Sequence, residues 1–175
     1  MRFNKTFEMD KVSESIAKNI NFREAVRGII IKDDKILMVH SKNRDYKFPG
    51  GGMKKGEGYK EALKREVEEE TGYICSKINE QVGIITEKSK DRYFNDRIFK
   101  MISYYYLAEV SDKRKSQKLD HYEAMLGFKP EWVNIDEAIN NNDKIINLGI
   151  EPIANWISRE TYVLKEIREY IEKNK

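Results

Sequence analysis

Residues Gly51–Tyr73 read GGMKKGEGYKEALKREVEEETGY, a glycine-rich turn running into a short helix with one edge crowded by carboxylates. On a helical wheel of about 100° per residue started at Glu66, Glu69 falls at about −60° and Glu70 at about +40°. The three acids therefore share an arc of about 100°. Like charges three and four residues apart destabilise an isolated helix by roughly 0.2–0.5 kcal/mol per pair. Local stability does not account for them; a hard divalent cation, which takes oxygen ligands, does. Leu63 and Val67 form an apolar stripe beside the acidic edge, so that edge borders the core. Glu61, Lys64 and Glu68 take the opposite face, where the spacing predicts Lys64–Glu68 and Glu61–Arg65 pairs. Gly72 stands where a left-handed residue ends a helix. Upstream, Pro49-Gly50-Gly51-Gly52 lets the backbone come close to a ligand. If carboxylate repulsion dominates, Glu69→Gln or Glu70→Gln leaves the metal-free protein as stable or slightly more so.

The rest of the chain frames that helix. With 175 residues, 36% charged and 39% apolar, it has the length for a sizeable core under a very polar surface. A net charge of +3 is too small to argue for nucleic acid without clustering. Cys75 is the one cysteine, which excludes an intramolecular disulfide and suits a reducing, cytoplasmic setting. It reads as a small core residue at the start of a strand. No apolar run approaches the ~18 residues of a membrane-spanning helix.

In chain order, Val12, Ile16 and Ile20 after Asp10 predict a short amphipathic helix, or else a partly extended arm against the sheet. Residues 25–31 and 35–40 read as strands around a turn at Asp33-Asp34. His40 reads as a strand residue rather than a ligand. Lys42, Arg44 and Lys47 precede the glycines, where cations could neutralise a polyphosphate. Residues 82–86 and 99–110 read as further strands. Between them Arg92 and Tyr93, with Phe94 and Arg97, could stack on a base and grip a phosphate. Residues 111–130 form the longest irregular stretch, and such loops are often functional. A short strand from Trp132 then leads to a helix that Asn140–Asp143 breaks, and 153–171 carries the apolar stripe of a long helix. That stripe reads as core packing, with dimerisation as its alternative.

Gly51, Glu57, Arg65, Glu66, Val67, Glu69, Glu70 and Gly72 fall in the spacing of the Nudix hydrolase signature, which this stretch resembles. Tyr73 departs from it, being aromatic where the pattern has an aliphatic residue. Tyr46-Lys47-Phe48-Pro49-Gly50 also looks like the family's lead-in. The resemblance implies an α/β fold, an α/β/α sandwich around a mixed sheet. It implies one such domain over residues 1–175, with 1–22 an N-terminal extension and 150–174 a C-terminal helix. The activity it implies is attack of water on a phosphoanhydride in a nucleoside diphosphate-linked small molecule, with magnesium or manganese. Carried over by position, Glu66, Glu69 and Glu70 are metal ligands, and the Gly50 carbonyl is a further one. Gly51 lies against the substrate. Glu57 either binds metal through water or orients Arg65, and Arg65 itself orients the acids. The base is a box glutamate, Glu66 or Glu69, or a later acid, for which Glu123 is the candidate with Asp120 behind it. The loop carrying Glu123 is expected to bring it toward Glu66, Glu69 and Glu70.

The family's substrate markers that follow the box are absent. In particular, the prolines are limited to Pro49, Pro130 and Pro152, which omits the one associated with ADP-ribose. A nucleoside triphosphate or related nucleotide is the default expectation. A nucleotide-sensing module without catalysis and an enzyme acting on RNA 5′ ends are the alternatives; Lys42, Arg44, Lys47, Lys54 and Lys55 bear on the second.

Overall fold

The computed structural model describes residues 2–9, 19–149 and 154–174. Its first strand, β1 (Phe3–Glu8), lies parallel to the edge of a sheet, as an extended arm would. The helix predicted from Val12 and Ile16 falls outside the described residues. Ile20 belongs instead to β2 (Asn19–Ile29), a strand that begins exposed and ends buried. Its last apolar residues give way to β3 (Ile31–Lys32) and β4 (Lys35–His40). Asp33 and Asp34, with φ of 50° and 59°, make the turn between them, a conformation whose twist suits a two-residue hairpin. β5 (Tyr46–Lys47) pairs back on β4.

Helix α1 (Tyr59–Thr71) starts after Gly58, whose amide donates to the Glu61 carboxylate at 3.0 Å. It ends at Gly72, left-handed at φ 72°. Two long strands follow, β6 (Tyr73–Lys90) and β7 (Arg97–Arg114), antiparallel and interrupted by register shifts. The stretch expected to be irregular from 111 is therefore shorter, because β7 continues to Arg114. A five-residue helix, α2 (His121–Met125), and strand β8 (Lys129–Asn134) occupy most of the remainder. Helix α3 (Ile135–Leu148) runs straight through Asn140–Asp143. The expected break fails because Asn142 is used by the tertiary structure. Buried, it accepts from the Tyr46 amide at 2.9 Å and donates to the Tyr46 carbonyl at 3.0 Å. Helix α4 spans Ile157–Lys173, starting later than the 150–174 expected, and residues 150–153 are not described.

Strands order as β1-β6-β7-β2 in a mixed sheet, and as β3-β4-β5 with β8 on β4 in an antiparallel one. Helices flank this framework. Ala62, Leu63 and Val67 of α1 pack with Val26, Leu37, Cys75 and Ala108 on one side. Val163, Leu164 and Ile167 of α4 pack with Phe48, Ile85, Tyr105 and Ile139 on the other. Each fully buried Val, Leu, Ile or Phe among these contributes roughly 1.5–3 kcal/mol. The α4 stripe thus serves the core. Cys75 is buried in this core, which pushes its thiol up to about 11. Among the described residues no helix is long and apolar enough to cross a membrane.

Candidate active site

The face of α1 that carries Leu63 and Val67 into the core also carries Glu66 and Glu70, both buried. The residues Pro49–Met53 run beside β2: the Val26 amide donates to the Gly51 carbonyl at 3.0 Å and the Gly28 amide to Pro49 at 2.8 Å. Two of the glycines are needed for this close approach. Gly50 has φ of 143°, and any Cβ there would strike the Val26 carbonyl. A Cβ on Gly51 would collide with the Glu66 carboxylate. The turn is therefore pressed between β2 and the acidic edge of α1.

Glu123 reaches the same place from α2. Ligand oxygens of Glu66, Glu70 and Glu123 all lie within 4.8 Å of one another. The loop before α2 is tied to the end of α1, which explains how Glu123 arrives there. The Lys118 amide donates to the Glu69 carbonyl at 2.8 Å, and the Lys115 amide to Gly72 at 2.7 Å. Gln117 Nε2 bridges the carbonyls of Glu70 and Phe128, at 2.5 and 3.1 Å. The bonds to Glu69 and Glu70 satisfy carbonyls that the end of α1 leaves without partners. Asp120 and Glu123 cap α2 reciprocally, each carboxylate accepting from the other's amide.

Arg65 organises the other flank. Its Nε and Nη2 donate to the two oxygens of Glu57, both at 2.7 Å, while Nη1 donates to Glu66 at 2.5 Å and Glu69 at 3.1 Å. Nη2 also reaches the Gly52 carbonyl at 3.2 Å. Hydrogen bonds from Arg65 hold the Glu57 carboxyl down to about 2. Of the two roles open to Glu57, the structure shows the pairing with Arg65. The pairs expected on the outer face of α1 are replaced: Glu61 caps Gly58, Arg65 turns inward, and Glu68 meets Lys115 at 3.1 Å.

Burial pushes the carboxyls of Glu66, Glu70 and Glu123 upward. Arg65 opposes this at Glu66, Lys47 and the Gly50 amide oppose it at Glu70, and the Asp120 amide opposes it at Glu123. Lys47, itself buried, donates to Glu70 at 2.5 Å and stacks over the Phe128 ring. Three mutually close carboxylates offering only hard oxygens fit a divalent cation.

Not every expected site residue joins the trio. Glu69 stands outside the trio; three positions on from Glu66, it faces the Arg65 side and is joined to Glu66 through the shared Nη1. The Gly50 carbonyl accepts from Arg27 Nη1 and, at 3.4 Å, from Lys47, so it faces cations of the protein itself. The amide of Gly50 donates to Glu70 at 2.8 Å. Lys42 secures α2, its Nζ donating to the Met125 carbonyl at 2.7 Å and its amide to Leu126 at 2.8 Å. Arg44 is an exposed turn residue at φ 67°. Arg92 and Tyr93 sit exposed at the tip of the β6–β7 hairpin, where Arg97 spends its guanidinium on Phe94 at 3.9 Å. None of these four lines the cavity beside the carboxylates. That cavity, of about 360 Å³, is walled by Gly51, Glu70 and Glu123, with Arg23, Arg27 and Arg159 around it and Phe99, Met101 and Trp156 as apolar surface. Sequence reading passed over Arg27, although an arginine inside an apolar strand was the available signal. Arg159 is hidden more deeply, buried between Glu87 and Glu160.

The chain is 42% identical over 71 residues to an ADP-ribose pyrophosphatase of Methanocaldococcus jannaschii, a match covering 38% of this chain and 41% of that relative's length. Among solved structures it resembles a Nudix hydrolase from Nitrosomonas europaea, with 26% identity, a TM-score of 0.51, and 69% of this chain and 78% of the other covered. The mutator MutT protein from Bacillus halodurans shares the fold at 21% identity and a TM-score of 0.51, over 82% of this chain and 80% of that one. The model of the Nudix domain matches residues 21–156, a span that holds the glycine turn, the acidic helix and the loop bearing Glu123. The chain belongs to the Nudix family.

Proposed function

We propose that the protein hydrolyses a phosphoanhydride bond in a nucleoside diphosphate-linked small molecule, with magnesium or manganese as cofactor. The observation that carries this reading is the trio Glu66, Glu70 and Glu123, of which Glu70 and Glu123 line a cavity that also presents arginines. Glu66 and Glu70, on one helix face, would hold the cation. When bound, such an ion would supply positive charge to the phosphate oxygens and acidify a water molecule. Glu123, arriving from a separate element, accepts the proton of the water that attacks phosphorus. The P–O–P bond breaks and the leaving phosphate departs with its electron pair. Arg65 fixes the orientation of Glu66, and Glu57 fixes Arg65. Glu69 shares that arginine and steadies the same flank.

A nucleoside triphosphate remains the first substrate to test. ADP-ribose is the second reading, favoured by the name of the relative from Methanocaldococcus jannaschii. Incubation with a panel of nucleoside triphosphates, ADP-ribose and dinucleoside polyphosphates, with magnesium and with excess chelator, tests the proposal. Hydrolysis of at least one compound is expected with magnesium, and none in chelator. Undiminished hydrolysis in chelator would remove the role given to the carboxylates.

A further inference from the structure

We propose a second anion subsite on β2, in which Arg27 grips a phosphate of the substrate that the carboxylate trio does not hold, and Arg23 assists from the cavity mouth. The proposal deepens the function given above, resting on a diphosphate-linked substrate entering this cavity. Arg27 is 7% exposed and lines the cavity. Its Nη1 donates to the Gly50 carbonyl, yet its Nε is buried with no hydrogen-bond partner. Among the described residues Arg27 forms no ion pair with a carboxylate. Buried donors are seldom left unpaired, and those that are call for a specific explanation. The edge of a guanidinium formed by Nε and Nη2 is the edge that takes two oxygens of one phosphate. In Arg27 that edge meets no acceptor of the protein.

Arg23 lies four residues earlier on the same strand, hence on the same face and about 13 Å away along the strand. It is exposed, lines the same cavity, and occupies the space a Cβ on Gly52 would need. Among the described residues its guanidinium makes no hydrogen bond. The two arginines thus flank the Gly50–Gly52 backbone, whose other side faces Glu66 and Glu70. A diphosphate laid along the glycines would meet the carboxylate side at one phosphate and Arg27 at the next. Phe99 and Met101, on β7 in register with Asn21 and Arg23, supply apolar surface beyond.

Titration of methylenediphosphonate into the full chain, followed by ³¹P NMR in chelator, isolates this subsite, because the probe cannot be hydrolysed and no divalent cation assists. Wild type is expected to bind. Arg27→Gln should weaken binding roughly 10- to 100-fold, the range for losing a charged hydrogen-bonding partner. Arg23→Gln, on the exposed side, should weaken it by a smaller factor, and Arg27→Lys should fall between wild type and Arg27→Gln. No binding by wild type would overturn the subsite. So would wild-type affinity in Arg27→Gln with an unchanged melting temperature. Should Arg27→Gln fail to fold, wild-type affinity in both Arg27→Lys and Arg23→Gln overturns it equally. The outcome is separable from the proposed hydrolysis. Turnover with magnesium at an unchanged KM in these variants sinks the subsite alone, whereas arginine-dependent binding without turnover sinks the hydrolysis alone.

Discussion

Glu123→Gln is expected to lower turnover by roughly 10²–10⁴ while leaving KM nearly unchanged, the loss that follows removal of a general base. The expectation rests on where α2 is held. Glu123 stands within 4.8 Å of Glu66 and Glu70, although it belongs to a helix of its own. That helix is pinned at both ends, by the reciprocal cap with Asp120 and by Lys42 on the Met125 carbonyl. Gln can still accept the Asp120 amide through its carbonyl oxygen, so the cap and the fold survive the substitution. What disappears is the capacity to take a proton. Steady-state kinetics with the preferred nucleotide read this directly. A near-normal rate would return the proton-accepting role to Glu66. A loss confined to metal affinity would make Glu123 a ligand instead.

Glu70→Gln should cost about 3–5 kcal/mol of stability in the metal-free protein, measured by urea unfolding, as well as most of the activity. This reverses the expectation drawn from carboxylate repulsion on the helix alone. Lys47 is buried and donates to Glu70 at 2.5 Å. Removing one partner of a buried pair leaves the other charge without compensation, which is strongly destabilising. Replacing both partners separates the two effects. Lys47→Met with Glu70→Gln should recover much of the stability but none of the turnover. A loss within about 0.5 kcal/mol for Glu70→Gln alone, the range for surface substitutions, would mean that the pair contributes nothing.

The helix, its left-handed end and its acidic edge were legible because they depend on spacing within one element. The same holds for the Asp33-Asp34 hairpin, whose turn chemistry is local. Glu123 could be singled out from the length of its loop, but its anchoring through Gln117 and Lys118 to the end of α1 is a tertiary matter. A wheel placed Glu69 in one arc with Glu66 and Glu70. Only the Arg65 fork shows which side of that arc it serves. Asn142 has the composition of a breaker, and no local rule shows that the backbone of β5 needs it. The basic residues near the glycines part ways for a related reason: Lys47 lines the cavity and pairs with Glu70. Lys42 and Arg44 are close in sequence yet turn away, while Arg27, across the sheet, faces the cavity.

The carboxylates of α1 are proposed to hold a divalent cation. Titrating Mn²⁺ into wild type and Glu66→Gln, and following free Mn²⁺ by electron paramagnetic resonance, tests it most directly. Wild type should suppress the free-ion signal with a saturable stoichiometry, and Glu66→Gln should bind roughly tenfold more weakly or worse. A wild-type protein that leaves the free Mn²⁺ signal unchanged, or a Glu66→Gln variant that binds as tightly as wild type, would contradict it.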